Sequence, residues 1–214
     1  MEKELLYRIF SSIILFPISI IVIIEGSIFF YISLGIIFLI SIYEWHNISK
    51  NKSLFYCGII YSALFVWTVI QLRFISENNY WYLIITTIIC VLTDIGGFVF
   101  GKIFKGPKLT ILSPKKTYAG VIGSFIFSFL SILILFLFDL YNEVDMVYFV
   151  LFIIIVSLAS QIGDILISYL KRLSNIKDSG KIIPGHGGLL DRIDGMLLAF
   201  PVAYLFQFYN YFNF

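Results

Sequence analysis

Apolar runs long enough to cross a bilayer follow one another along almost the whole chain, and that succession leaves few folds open. A transmembrane helix needs roughly 20 predominantly apolar residues. About seven such runs can be read, over roughly 8–24, 27–43, 54–75, 80–101, 118–138, 146–170 and 187–210. In lipid the backbone must satisfy its own polar groups, so runs of this length become helices. The expected architecture is all-α: one polytopic integral membrane domain over residues 1–214, with about seven transmembrane helices. Only 13% of the residues are charged, against about 25% in soluble domains. Mean hydropathy is +0.97, which leaves little room for a separate soluble domain. The break at Glu25-Gly26 reads either as a turn between two spans or as a flaw in one longer segment. The first run lacks a small-x-small cleavage site, so no cleavable signal peptide is expected. Cys57 and Cys90 lie in apolar runs and read as buried free thiols.

Cations set the orientation. Lys3 and Arg8, Lys50 and Lys52, the five lysines from Lys102 to Lys116, and the five cations from Lys171 to Arg192 all fall on one side of the seven-span arrangement. The other side carries only Arg73, beside Asp139, Glu143 and Asp145. The basic side is therefore expected in the cytoplasm, with the N-terminus in and the C-terminus out.

The densest polar stretch runs from Ser168 to Gly195 and holds Lys171, Arg172, Lys177, Asp178, Lys181, His186, Asp191, Arg192 and Asp194. Ionisable groups beside a bilayer are costly unless paired or bound, so this cluster reads as a polar site. Depth along the helices links it to other acids. Asp94 precedes Lys102 by eight residues, about 12 Å of helix. Asp164 precedes Lys171 by seven, about 10 Å. Asp191 and Asp194, three apart, share a helix face. If the last helix starts near Gly187, they lie about 6 to 10 Å inside it. Four carboxylates at matching depth suit a hard divalent cation and the phosphates it would bridge. The simpler alternative is ion pairing with Lys171, Arg172 or Arg192 that only fixes helix packing.

Other stretches stay open on composition alone. Pro184-Gly185-His186-Gly187-Gly188 is either an ordinary turn or backbone that lets a phosphate approach a helix start. His186 is a proton carrier, a phosphate donor or a surface histidine. Lys177-Asp178-Ser179-Gly180 reads by itself as a solvated loop. Ser113-Pro114-Lys115-Lys116-Thr117 either clamps a nucleotide phosphate or serves positive-inside retention. Lys102, Lys105 and Lys108 read as retention signals or as contacts for anionic head groups. Glu44 and His46 flank Trp45, which reads as an interfacial anchor. Gly97 and Gly101 form a small-xxx-small pair suited to close helix packing.

Taken in order, Ser168-x-x-Lys171-Arg172, Lys177-Asp178-Ser179-Gly180, Pro184-Gly185-His186-Gly187-Gly188 and Asp191-Arg192-Ile193-Asp194 resemble the signature of phosphatidate cytidylyltransferases, also called CDP-diacylglycerol synthases. Asp94, Gly101-Lys102 and Ser113-Pro114-Lys115-Lys116-Thr117 with Gly120 add to the likeness, and Tyr43-Glu44-Trp45 is a weaker echo. The motif-bearing part spans about residues 90–205. This resemblance implies an integral enzyme of a bacterial-type inner membrane, with its active site facing the cytoplasm. It would join CTP and phosphatidic acid into CDP-diacylglycerol and pyrophosphate, with Mg²⁺ and with K⁺ as a second cation. The partners implied are those two substrates and the lipid bilayer, with no nucleic acid; whether the chain pairs as a homodimer stays open.

The resemblance carries over Asp164, Asp191 and Asp194 as metal-site residues. Asp164, Asp191, Lys171, Arg172, Arg192 and His186 are the expected catalytic groups. Asp94, Ser113, Lys115, Lys116, Ser168, Lys177, Asp178, Gly187 and Gly188 are expected to hold substrate. Two features depart from the family pattern: the chain is shorter than many bacterial members, and Ile167 stands where many have a glutamate. The nearest rival is a CTP-dependent kinase of a polyprenol, whose alcohol nucleophile needs a general base. An anion or cation transporter is a further alternative, although such sites tend to lie at the midplane between internal repeats.

Overall fold

The structure is a computed structural model. It describes residues 17–74, 80–109, 116–138, 145–182 and 187–213, with side chains through 208. Regular structure among these residues is helical: α1 (17–25), α2 (Ile28–Ile48), α3 (Lys52–Phe74), α4 (Trp81–Phe104), α5 (Tyr118–Ser128), α6 (Ile132–Leu137), α7 (Met146–Leu173), α8 (Leu190–Ile193) and α9 (Met196–Asn213). A single 3₁₀ turn, Phe129–Ser131, joins α5 to α6, so Tyr118–Leu137 runs as one 20-residue element. This element, α2, α3, α4 and α7 are each long and apolar enough to cross a membrane. Their outward faces carry large exposed hydrophobic side chains such as Phe29, Leu39, Ile60, Phe98 and Val147. The chain is an integral membrane protein.

Of the seven expected runs, the last is broken differently from the expectation, and the first is described only in part. The first run falls largely outside the described residues, which give only its last part as α1. The last does not run unbroken from 187. A short helical turn, α8, comes first, and α9 begins only at Met196. The reason is steric. The backbone of Asp194 and Gly195 lies against α7, where a Cβ on Gly163 would stand 2.9 Å from the Asp194 carbonyl oxygen. A Cβ on Gly195 would stand 2.5 Å from the Ser160 hydroxyl. The chain turns there, and Asp191 and Asp194 precede the last apolar helix instead of lying inside it.

Local caps fix several helix starts. Asp145 accepts hydrogen bonds from the N–H groups of Val147 (2.7 Å) and Tyr148 (3.4 Å). The Thr117 hydroxyl accepts from Gly120 N–H (3.1 Å) at the start of α5. Such caps satisfy donors that the first helical turn leaves open. The Glu25-Gly26 break is a real turn, with Gly26 at φ +59°. Arg73 fills the space that a side chain there would need, donating from Nε to Ile23 C=O (3.0 Å) and from Nη2 to Ile24 C=O (3.2 Å). Arg73 thus closes the C-terminus of α1.

The core contains Phe30, Leu72, Ile89, Phe152 and Leu197, with α7 packed on both α4 and α9. Trp45 is buried in it and donates its ring N–H to the Ser62 hydroxyl (2.9 Å), so it is a core residue and not an interfacial anchor. Gly58 leaves room for its ring. Both cysteines are free, but Cys57 is exposed on α3 while Cys90 is buried.

α4 and α5 touch backbone to backbone through Gly96, Gly97 and Gly101 on one side and Gly120 and Gly123 on the other. A Cβ on Gly123 would stand 2.7 Å from the Gly96 carbonyl oxygen and collide with Phe100. Forcing atoms into a filled interface costs about 1–3 kcal/mol, and more where backbone must move. Gly123→Val is therefore expected to lower the melting temperature in detergent by several degrees, read by tryptophan fluorescence. Gly35→Val, where a Cβ meets nothing within 4 Å, serves as the control.

Candidate active site

Two connections and three helices converge on one cavity of about 340 Å³. The connection between α4 and α5 is pinned at both ends. Leu109 N–H donates to Lys116 C=O (2.8 Å), and Tyr118 N–H donates to Pro107 C=O (3.3 Å). This ladder aims Lys116 at α7, where its ammonium meets Asp164 Oδ2 at 2.6 Å. One turn further along α7, the Ser168 hydroxyl donates to Asp164 Oδ1 (3.2 Å). Lys171, one position short of another full turn, reaches Asp191 Oδ1 at 2.7 Å and stands 4.0 Å from Asp194 Oδ2. The cavity is lined by Asp94, Asp164, Asp191 and Asp194 together with Lys116 and Arg192. Polar groups of α4, α5 and α7 (Thr93, Ser124, Gln161) also line it, as do apolar Phe98, Val121 and Ile165. Thr93 and Ser124 tie the helices together: Thr93 donates to the Ser157 hydroxyl (2.9 Å) and Ser124 to Thr93 C=O (2.8 Å).

The electrostatics separate the acids. Burial works against charge on Asp191, but the Lys171 hydrogen bond and charge, with the N–H groups of Gly188 and Ser179, hold its carboxyl below the usual range. Asp194 is opposite. Burial, then the negative charges of Asp164 and Asp94, push its carboxyl well above the usual range, against the pull of Lys171. Asp94, Asp164 and Asp194 thus act on one another across one wall of the cavity, with Lys116 paired to Asp164, and a bound cation would relieve their mutual repulsion. Among the described residues, no three acidic, histidine or cysteine side chains stand close enough to cage an ion by themselves. Mg²⁺ usually takes one or two carboxylates and completes its shell with water and substrate phosphates, and the cavity-lining carboxylates are oxygen donors of that kind.

Several expected site residues lie elsewhere. Arg172 is exposed and donates to Ile176 C=O (3.0 Å), closing the end of α7 away from the cavity. Neighbouring positions on a helix point about 100° apart, so Lys171 and Arg172 cannot both face Asp191. Lys177 and Asp178 are exposed and do not line the cavity. Ser113, Lys115 and His186 lie outside the described residues. Ile167 is buried in the core, so the position where a glutamate was expected does not face the cavity.

The reading of Gly187-Gly188 as a phosphate cradle meets an obstacle. Gly188 N–H donates to Asp191 Oδ2 (2.9 Å), Leu189 N–H to Glu44 Oε1 (2.8 Å) and Leu190 N–H to Glu44 Oε2 (2.7 Å). The donors at the start of α8 are already engaged by two carboxylates of the protein. The glycines are needed for another reason. Gly187 has φ +87°, the left-handed region that favours glycine. A Cβ on Gly188 would stand 2.5 Å from Glu44 Oε2.

Glu44, a weaker echo in the sequence with no role assigned to it, holds the loop beside Asp191. It is 0% exposed near the end of α2, and it accepts from the Ser179 hydroxyl (2.8 Å) as well as from the two backbone groups. The signal was there in weak form: one acid, in a helix of apolar residues, at the level of the other carboxylates.

Comparison with known proteins places this geometry. The Cytidylyltransferase family profile matches residues 53–210, well over half of the chain. The phosphatidate cytidylyltransferase of Rickettsia felis is 35% identical, over 95% of this chain and 92% of its own. That of Rickettsia typhi is 36% identical, over 97% and 94%. A Staphylococcus saprophyticus protein of the same name is 36% identical over a shorter stretch, 56% of this chain and 46% of its own. The profile covers α3 through most of α9, and so every helix that lines the cavity. With acids and cations of both basic connections gathered there, the chain belongs to the cytidylyltransferase family.

Proposed function

We propose that this protein transfers CMP from CTP to phosphatidic acid, giving CDP-diacylglycerol and pyrophosphate. The observation that carries the reading is a cavity lined by Lys116, Asp164 and Asp191, where the Lys116–Asp164 and Lys171–Asp191 pairs join the two basic connections beside apolar helices. An oxygen of the lipid phosphate attacks the α-phosphorus of CTP. The bond to the bridging oxygen of the β-phosphate breaks, and pyrophosphate leaves with that electron pair. The nucleophile is already an anion, so neither an activated serine nor a general base is required. The work is to bring two polyanions together and to neutralise charge on the phosphoryl oxygens.

Arg192, Lys116 and Lys171 are the cations suited to that work, since each lines the cavity or pairs with an acid that does. Asp164, Asp191 and Asp194, with Asp94 beside them, are the carboxylates suited to Mg²⁺. Protein donors meet both oxygens of Asp191 and both oxygens of Asp164, which fixes the edges of the site. When bound, the cation would neutralise triphosphate charge. A K⁺ ion would be a second such charge. The apolar residues beside the cavity let the acyl chains stay in lipid while the phosphate enters. The same reading puts the cavity on the cytoplasmic side of a bacterial inner membrane, where CTP is found, with about seven spans and the N-terminus inside. One chain supplies every group named, so the chemistry does not need a homodimer.

Product analysis is the test. Purified protein with labelled CTP, Mg²⁺ and phosphatidic acid is expected to release pyrophosphate and a labelled CDP-lipid, resolved by thin-layer chromatography. Release of CDP with transfer of only the γ-phosphate to a lipid alcohol would replace this reading with that of a lipid kinase.

A further inference from the structure

We infer that Glu44 is a positioning residue for this reaction, and that the two glycine-bearing motifs of the long polar connection are the receptor for its carboxylate. The inference rests on the reaction proposed above. Glu44 comes from α2, an element that contributes no residue to the cavity lining. Its carboxylate is sandwiched between Gly180 and Gly188: a Cβ on the first would stand 2.7 Å from Oε1, and a Cβ on the second 2.5 Å from Oε2. No other residue type leaves the acid that room.

The contacts interlock with those of Asp191. Ser179 gives its hydroxyl to Glu44 and its N–H to Asp191 Oδ2 (2.9 Å). The next strand of chain divides its donors the same way, Gly188 to Asp191, Leu189 and Leu190 to Glu44. Removing Glu44 therefore releases the segments that hold Asp191. The end of α2 adds further ties: Asn47 donates to Ser179 C=O (3.3 Å), and the Ser174 hydroxyl donates to Ile48 C=O. Glu44 touches none of the other cavity acids, so its effect on the reaction runs through the placement of Asp191. Partners that orient an active group from behind commonly cost about 10- to 100-fold when lost.

Glu44→Gln is the informative variant because it keeps the volume. Three donors meet the carboxylate, and an amide has one acceptor oxygen, so either orientation sets an NH₂ group against a backbone N–H. The expected result is a kcat lower by about 10- to 100-fold with KM for CTP within a few-fold of the parent. The melting temperature in detergent should fall only slightly. Hydrogen–deuterium exchange should speed up in peptides covering 179–182 and 187–191, and stay unchanged in α4 and α5. Tyr43→Phe, one position away and exposed, is the control and should match the parent in every readout. Parental kcat in Glu44→Gln, or unchanged exchange over 187–191, overturns the inference. So does a loss of activity that merely tracks the folded fraction, since that makes Glu44 a scaffold residue. Failure of the parent protein to form CDP-lipid would instead refute the reaction itself, while the exchange measurement would still report on the anchoring.

Discussion

Asp191→Asn is expected to reduce CDP-diacylglycerol formation by at least about 10³-fold, the scale of losing a fixed charge-stabilising group in a closed site. Asp191 holds four roles with two oxygens: it pairs with Lys171 at 2.7 Å, accepts from the N–H groups of Ser179 and Gly188, and lines the cavity. Asparagine cannot fill them, because whichever way its amide turns, an NH₂ group faces a donor. It also strands Lys171, whose side chain is 9% exposed and whose next acid, Asp194, stands at 4.0 Å. Removing one partner of a buried pair costs about 3–5 kcal/mol, so the single variant should melt earlier as well as lose turnover.

That leaves an ambiguity which a second substitution resolves. Lys171→Met removes the stranded charge while keeping much of the side-chain volume. The double variant Asp191→Asn with Lys171→Met should recover most of the melting temperature, because replacing both partners of a buried pair is often nearly neutral. It should recover none of the turnover. A double variant that regained activity would make the pair a packing device and would remove Asp191 from the reaction. The pH dependence has a matching sign. The Asp191 carboxyl is held below its ordinary value, so its contribution to stability is complete at neutral pH. That contribution fades only as pH falls below the ordinary carboxylate range, about 4, and through the lowered native value.

What the sequence made legible, and what it did not, follows from helix geometry. Depth along a helix is simple arithmetic, and it places Asp94 and Asp164 at one level; the structure brings both into the same cavity with Asp191 and Asp194. Direction around the helix axis is harder, because it depends on which neighbour is packed where. Lys171 and Arg172 are adjacent in sequence, yet one faces Asp191 and the other closes the helix end. The break before Met196 was hidden because it is imposed by α7, through Ser160 and Gly163, and not by a proline or a polar run in the segment itself. Glu44 was hidden for a related reason. Its partner Ser179 is 135 residues away, and nothing local to α2 indicates that the two meet. Once they are seen to meet, the glycines of both motifs acquire a different explanation: they make room for a carboxylate from a distant helix, where composition alone allowed a phosphate.

Gly188→Ala tests that explanation with one methyl group. The backbone at Gly188 is not in the left-handed region, so the substitution carries no conformational penalty of the kind expected at Gly187. The objection is spatial. The new Cβ would overlap the Ser179 hydroxyl and stand 2.5 Å from Glu44 Oε2 and 2.7 Å from Glu44 Cδ. The hydroxyl can rotate away. The carboxylate cannot, because Gly180 closes on it from the other side. The loop must therefore lift from α2 and carry Asp191 with it. Gly188→Ala is expected to lower turnover by about 100-fold or more, close to the upper end of what loss of a supporting partner costs. Gly35→Ala, in α2 with nothing within 4 Å of its Cβ, should be as active as the parent and up to about 1 kcal/mol more stable if it follows helix propensity. Adding Ser179→Ala to Gly188→Ala removes the collision with the hydroxyl but leaves the one with Glu44, so the double variant should remain at least about 10-fold impaired. Full recovery on removing the Ser179 hydroxyl would mean that the buried carboxylate does yield. The loop would then be held by Asp191 alone, and the second glycine would serve only to clear a serine.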